Sequence, residues 1–346
     1  LYAKFIASLV REKKLLHCTS RAVARVIEHS ARMAEHQDRL SLHAADIANL
    51  LRESDYWARR VDARMISDKH VDQALESAEY RSSRIRDQFY DSIRDGTTLV
   101  STSGTCVGQV NGLSVLSTGG YEFGLSNRIT ATCYYGDGGV MDIERDVKLG
   151  GNLHSKGVMI LSSWLSAHFA VTDPMHLSAS LTMEQNYGEV DGDSASLAEL
   201  CALVSALSGL PVRQDLAVTG SVNQFGEVQP IGGVNEKVEG FFATCQLTGG
   251  LSGSQGVILP TTNVQNLMLN EEVVRAVRKG QFSVYSVTYA EEAITLLLGK
   301  PAGKADSYGR YPRQSVFGII QKRLEDMREH ERQEHARDDS KDPSIH

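Results

Sequence analysis

Asp191-Gly192-Asp193-Ser194-Ala195-Ser196 closes a β-like run and opens an apolar helix carried by Ala195, Leu197, Ala198, Leu200, Leu203 and Val204. A serine at such a junction exposes its hydroxyl where backbone N–H groups and the helix dipole favour a developing oxyanion. The same position also suits a plain N-cap. Further along, Gln229-Pro230-Ile231-Gly232-Gly233-Val234-Asn235-Glu236-Lys237 makes a tight turn into a helix with a lysine in its first turn. The macrodipole is positive there, so a desolvated lysine tends to lose its proton. An unperturbed amine, with a pKa of about 10.4, is a poor base at neutral pH. The plain alternative is an exposed surface lysine. Between the two, Val218-Thr219-Gly220 ends an apolar strand, where the Thr219 hydroxyl is placed to hold an amine or is an ordinary strand-end threonine.

Outward from these segments, short β-rich runs (107–115, 129–135, 177–182, 216–222, 256–259 and 282–287) alternate with helical stretches near 154–168, 195–208, 234–245 and 290–298. The pattern predicts an α/β or α+β domain over residues 96–300. Upstream the composition changes abruptly: residues 1–95 contain no glycine and no proline, while all 30 glycines and 7 prolines lie from Gly96 onward. Helical periodicity there predicts helices over about 3–16, 20–37 with Ser20 as N-cap, 41–60, and a long one from near Ser67, hence an all-α bundle over 1–95. Gly299 to Arg313 reads as an extended arm. Residues 323–346, dense in Arg, Glu, Asp and His, read as a solvated helix fraying into disorder, so 301–346 forms a third segment, an extended arm with a charged C-terminal tail.

Three ordered motifs, Asp191-Gly192-Asp193-Ser194-Ala195-Ser196, Ala217-Val218-Thr219-Gly220-Ser221-Val222-Asn223 and Gly226-Glu227-Val228-Gln229 through Lys237, resemble the proteolytic domain of Lon proteases, a Ser-Lys dyad peptidase family. Thr219 and Lys237 follow Ser194 by 25 and 43 positions, as expected for that family. The resemblance covers about residues 97 to 300, with Gly108 to Leu113 near its start and Val257-Ile258-Leu259-Pro260 after the lysine helix. Asp193 and Ser196 stand where the most familiar bacterial pattern has Pro and Gly, which is similar to the archaeal-type and Lon-related branches. The resemblance implies Ser194 as nucleophile, Lys237 as base, Thr219 as a support for the amine, and Asp191 and Asp193 as residues that tune the dyad. Carboxylates at a helix N-terminus also need no catalytic reason to be there. It implies, too, a homohexameric ring that admits unfolded protein or peptide substrates. The glycine-free helical part, through Leu42 to Trp57, resembles the lid subdomain of the AAA+ module of these enzymes.

The overall balance of 36 Lys+Arg against 43 Asp+Glu, a net charge of −7, does not favour nucleic acid as a partner. The most apolar stretch, Val158 to Ala170, is broken by three serines and a histidine, so no membrane span is expected. Five dispersed cysteines without CxxC pairs suggest neither a disulfide framework nor a zinc site and fit a reducing cytoplasm. A Gly-x-x-x-x-Gly-Lys-Ser/Thr loop does not occur in the sequence, and its nearest fragment is Gly303-Lys304-Ala305. No cofactor is therefore expected in this chain, ATP and Mg being implied only for an ATPase core upstream. The start at Leu1 and the immediate opening in helix read as the C-terminal part of a longer AAA+ protease, with a form lacking a motor as the other possibility. The leading expectation is a serine endopeptidase degrading unfolded or damaged proteins in protein quality control. Two readings from other classes compete with it: a noncatalytic ring-assembly or substrate-docking module of the same fold, and a DNA-binding regulator. The intact Ser, Thr and Lys set argues against the first of these and the charge against the second.

Overall fold

The computed structural model describes residues 1–136, 139–170 and 177–339. Five helices open the chain: α1 (Tyr2–Glu12), α2 (Ser20–Met33), α3 (Ala44–Arg60), α4 (Asp68–Ser82) and α5 (Arg84–Arg94). Ile6, Val26, Ile47, Leu51 and Val71 of the first four helices, with Ile66 ahead of α4, bury one shared core. The cap of α2 is Thr19 rather than Ser20, since the Thr19 hydroxyl oxygen accepts the Ala22 N–H. The long helix expected from Ser67 is interrupted at buried Ser83, whose hydroxyl donates to the Asp87 carboxylate in the first turn of the next helix.

The sheet elements follow: β1 (Thr105–Cys106), β2 (Gln109–Thr118), β3 (Tyr121–Tyr135), β4 (Gly139–Asp142), α6 (Ile143–Asp146), α7 (Asn152–Phe169), β5 (Leu177–Met183), α8 (Ser196–Ser208), β6 (Val212–Arg213), β7 (Leu216–Val218), β8 (Ser221–Val222) and β9 (Val228–Gln229). After α9 (Val234–Leu247) come β10 (Gly256–Pro260), a 3-10 turn (Thr261–Asn266), α10 (Glu271–Arg278), β11 (Ser283–Val287), α11 (Ala290–Leu298) and α12 (Val316–Asp339). Seven strands form one mixed sheet in the order β11-β10-β7-β2-β3-β5-β4. Strands β11, β10, β7 and β2 run parallel, β3 is antiparallel to both β2 and β5, and β4 is parallel to β5.

Period-two alternation assigns the two faces. Leu216, Val218 and Ile258 join the core packed by α7, α8, α11 and α12, while Ala217, Val257 and Leu259 join the core under α9 and α10. Helix α8 is buried on nearly every side, which is why its sequence is apolar all round rather than amphipathic. It ends at Gly209 in the left-handed conformation, φ 71°.

The solvated reading of the tail needs correction at its start. Ala302, Val316, Phe317, Ile320 and Leu324 are buried in the sheet core, and the arm closes on itself through Val316 N–H to Pro301 O and Phe317 N–H to Ala302 O. Arg323, the first residue of the stretch expected to be solvated, donates to Ala206 O and Leu207 O and so satisfies the C-terminal carbonyls of α8. Charge density concealed this, because the apolar anchor of α12 is confined to its first half, from Val316 to Met327. Residues 340–346 lie outside the described residues.

Candidate active site

Helices α8 and α9 lie on opposite faces of the sheet, and their N-terminal ends converge beyond the end of β7, where Thr219 is the next residue. Ser194 lies in the turn before α8, ahead of the Ala195 N-cap. Its hydroxyl is therefore not spent on capping. Instead it accepts a hydrogen bond from Lys237 Nζ at 2.9 Å. Lys237 is 3% exposed, so the surface-lysine alternative falls away. Burial lowers its pKa to about 8, against the opposing pull of the Asp193 carboxylate, whose charge favours the ammonium form.

The turn that carries Ser194 is stitched to the β7–β8 connection. Ser194 O accepts the Gly220 N–H at 2.9 Å and the Thr219 hydroxyl at 3.3 Å, and Leu197 N–H donates to Gly220 O. The Thr219 hydroxyl thus meets the backbone of the serine, where the resemblance implied the amine of the lysine. Ser196 Oγ accepts Val222 N–H at 3.1 Å, and Asp193 Oδ2 accepts the Ser221 hydroxyl at 2.8 Å. Asp191 turns elsewhere: its Oδ1 accepts Leu153 N–H and Gly192 N–H at the start of α7. Of the five residues singled out in the sequence, Ser194, Lys237, Thr219 and Asp193 come together, and Asp191 serves the neighbouring helix end.

Three glycines bring α9 to this place. Gly233, the N-cap, has φ 64°, and a Cβ there would press on Val115. A Cβ on Gly124 of β3 would run into the Glu236 carbonyl, and one on Gly240 of α9 into the Gly124 carbonyl. Backbone meets backbone at this crossing, and Lys237 lies beside it. The preceding loop is held by Asn263, which donates to Ile231 O and accepts from Ile231 N–H, both at 2.9 Å. Neither the paired glycines nor Asn263 was singled out in the sequence, since the two glycines are far apart in the chain and only the fold places them face to face.

Among the described residues, Asp142, Glu144 and His154 bring potential ligand atoms within 4.8 Å of one another. These groups already partner each other and their surroundings. His154 Nε2 lies 3.3 Å from Asp142 Oδ1, its Nδ1 lies 3.6 Å from Glu199, and Glu144 accepts the Thr182 hydroxyl and Met183 N–H. Burial works against a charged imidazole, but the Asp142 hydrogen bond and the neighbouring carboxylates outweigh it and raise the pKa of His154. Burial pushes Glu199 up to about 7. The cluster ties α6, α7 and α8 to β5 beneath the nucleophile. Gly303-Lys304, the nearest fragment to a phosphate loop in the sequence, lies in irregular chain packed on Ser315 just before α12.

Two family models match the sequence of this chain. The model of the Lon protease (S16) C-terminal proteolytic domain matches residues 102–300, and that of the archaeal LonB AAA+ ATPase lid domain matches residues 17–81. The chain belongs to the Lon protease family. A Lon protease homolog of Escherichia coli K12 is 44% identical over 275 residues, which is 79% of this chain and 46% of that protein. A second Lon protease homolog, from Haemophilus influenzae, is 44% identical over 250 residues, 72% of this chain and 41% of that protein. An archaeal Lon protease of Archaeoglobus fulgidus is 27% identical over 297 residues, 85% of this chain and 45% of that one. The chain thus spans about half the length of the curated Lon relatives it matches. No helix among its described residues is long and apolar enough to cross a membrane.

Proposed function

We propose that this chain carries the peptidase activity of a Lon-type protease, a serine endopeptidase that cleaves unfolded protein through a Ser194-Lys237 dyad. The observation that carries the reading is the 2.9 Å contact between a buried lysine amine and a serine hydroxyl left free by its own helix. In the proposed cycle Lys237, once neutral, accepts the Ser194 proton as Oγ attacks a peptide carbonyl. Backbone N–H groups of the turn stabilise the oxyanion, Lys237 passes its proton to the leaving amine, and water then hydrolyses the acyl-enzyme. Thr219 holds the serine backbone in register, and Asp193 sets how readily the amine loses its proton. The protein groups in these proposed steps all come from this chain, and ATP and Mg enter only through an ATPase core that the whole protein would supply. Assembly into a six-membered ring and a cytoplasmic role in protein quality control belong to the same proposal, supported by the family and by five cysteines that are all free thiols. Cleavage of fluorescent casein by the wild-type chain, by Ser194→Ala and by Lys237→Met tests the reading, with ring size followed by light scattering.

The lysine also sets the pH dependence. A pKa of about 8 leaves roughly a tenth of the amine neutral at pH 7, so the rate is expected to rise with pH and level off above the pKa. Asp193 favours the ammonium form, so Asp193→Asn is expected to move the acid limb to lower pH and raise the rate at pH 7 about twofold or more. A pH–rate profile of kcat for both proteins checks this. An unmoved limb in the variant would remove Asp193 from the tuning of the dyad.

A further inference from the structure

The helical N-terminal part does not merely sit beside the protease fold; it holds the helix that carries Lys237. Arg32, in the last turn of α2, reaches across 204 to 236 positions of sequence. Its guanidinium donates to Glu239 Oε1 at 2.6 Å and Oε2 at 2.8 Å, to Glu236 Oε1 at 3.3 Å and to Met268 O at 3.0 Å. The two-pronged engagement of Glu239 fixes direction as well as distance, which a single ammonium would not. Glu236 precedes Lys237 and Glu239 follows two positions later, so the arginine grips α9 on both sides of the lysine while Lys237 faces Ser194.

The surrounding bonds show what this grip controls. The Gly124–Gly240 crossing sets how closely α9 approaches β3, but backbone contact alone leaves the helix free to roll or slide along the strand. Polar ties resist that motion. Asn235 donates to Asn266 O and accepts Met268 N–H, and Glu239 also accepts Asn270 N–H at 2.7 Å. Those partners lie in the 261–270 segment, which the helical part holds as well: Gln37 N–H donates to Gln265 O, its side chain to Val264 O and Leu267 O, and Asn266 donates to Glu35 O. The helical part therefore holds α9 directly through Arg32 and indirectly through the segment that braces it. A second handle lies further along, where Arg86 of α5 pairs with Glu79 and donates to Tyr121 at the start of β3. The Arg32–Glu239 pair is only partly exposed, at 30% and 18%, so it is less screened than a surface pair and its loss leaves a carboxylate poorly solvated.

We infer that Arg32 is a positioning residue for Lys237, through which the docking of the helical part sets the register of the Ser-Lys pair. This inference rests on the proposed dyad, and it makes the peptidase sensitive to any movement of the helical part, since an outward shift of α2 would pull on the turn that contains Lys237. Arg32 acts on the helix that carries the proposed base, so the effect is expected on kcat rather than on KM.

The test uses Arg32→Ala and Arg32→Lys in the whole chain, with Arg25→Ala as a control in the same helix, since among the described residues Arg25 forms ion pairs with Glu28 and Asp72 alone. Two readouts are taken: casein cleavage resolved into kcat and KM, and hydrogen exchange of the amides of residues 234–240. Arg32→Ala is expected to lower kcat about tenfold with KM within twofold, and to speed exchange of those amides about tenfold, while Arg25→Ala changes neither. Arg32→Lys restores part of kcat. A normal kcat, a loss that falls on KM, or unchanged exchange would each overturn the inference. If Ser194→Ala and Lys237→Met cleave casein as the wild type does, the dyad reading fails, while the exchange data still decide on their own whether Arg32 holds α9.

Discussion

Lys237→Met is expected to lower casein cleavage by about 10³-fold, the scale of a lost general base and about 4 kcal/mol of barrier. Methionine nearly preserves the volume of the lysine and removes a buried amine that burial alone disfavours, so stability should hold or rise. That combination separates a lost base from a lost fold. Ser194→Ala should remove cleavage as completely, and the double variant should be no worse than either alone, because the two groups act as one unit. Initial rates measured alongside urea unfolding curves check both points. Cleavage by Lys237→Met within tenfold of wild type would rule out the lysine as base.

The second large effect concerns a residue that never touches the chemistry. Gly240→Val inserts a branched side chain into the backbone contact between α9 and Gly124, where even a Cβ has no room. Helix propensity alone would favour the change by a few tenths of a kcal/mol, but the clash is expected to cost about 3 kcal/mol and to push α9 off the sheet. Loss of cleavage should therefore exceed the loss of folded protein, since α9 carries Lys237 away from Ser194. Gly188→Ala is the matched control, as nothing lies within 4 Å of a Cβ there. Urea midpoints and casein rates for both variants read the outcome, and a Gly240→Val protein with wild-type midpoint and rate would refute the close-packing account.

Much of this was legible before any coordinates. Ser194 and Lys237 each sit where a helix begins, which local pattern locates but also explains as a cap or a surface lysine, and the resemblance to the Lon motifs singled them out. The strand and helix order followed from periodicity, which is why α8 and α11 begin and end close to their expected bounds. Other features escaped for physical reasons. Thr219 was expected at the amine, but a threonine at a strand end has several acceptors in reach, and the Ser194 carbonyl is the one its hydroxyl meets. Asp191 and Asp193 looked equivalent, two residues apart beside the nucleophile, yet Gly192 between them has φ 119° and the two side chains part toward α7 and toward Ser221. The tail looked solvated because its charges outnumber its apolar residues, although the apolar residues from Val316 to Met327 dock the first half of α12.

The sequence by itself determined the class of fold and the change from glycine-free helices to a strand-and-helix domain, since local periodicity is written in neighbouring residues, while resemblance to the Lon motifs singled out a serine, a threonine and a lysine at fixed separations. Only the tertiary structure decided that the serine and lysine touch, that burial brings the amine to about 8, that Gly124 and Gly240 let their elements meet, and that Arg32 grips the lysine helix. Desolvation and close approach depend on groups brought together from distant parts of the chain, and no local pattern encodes them.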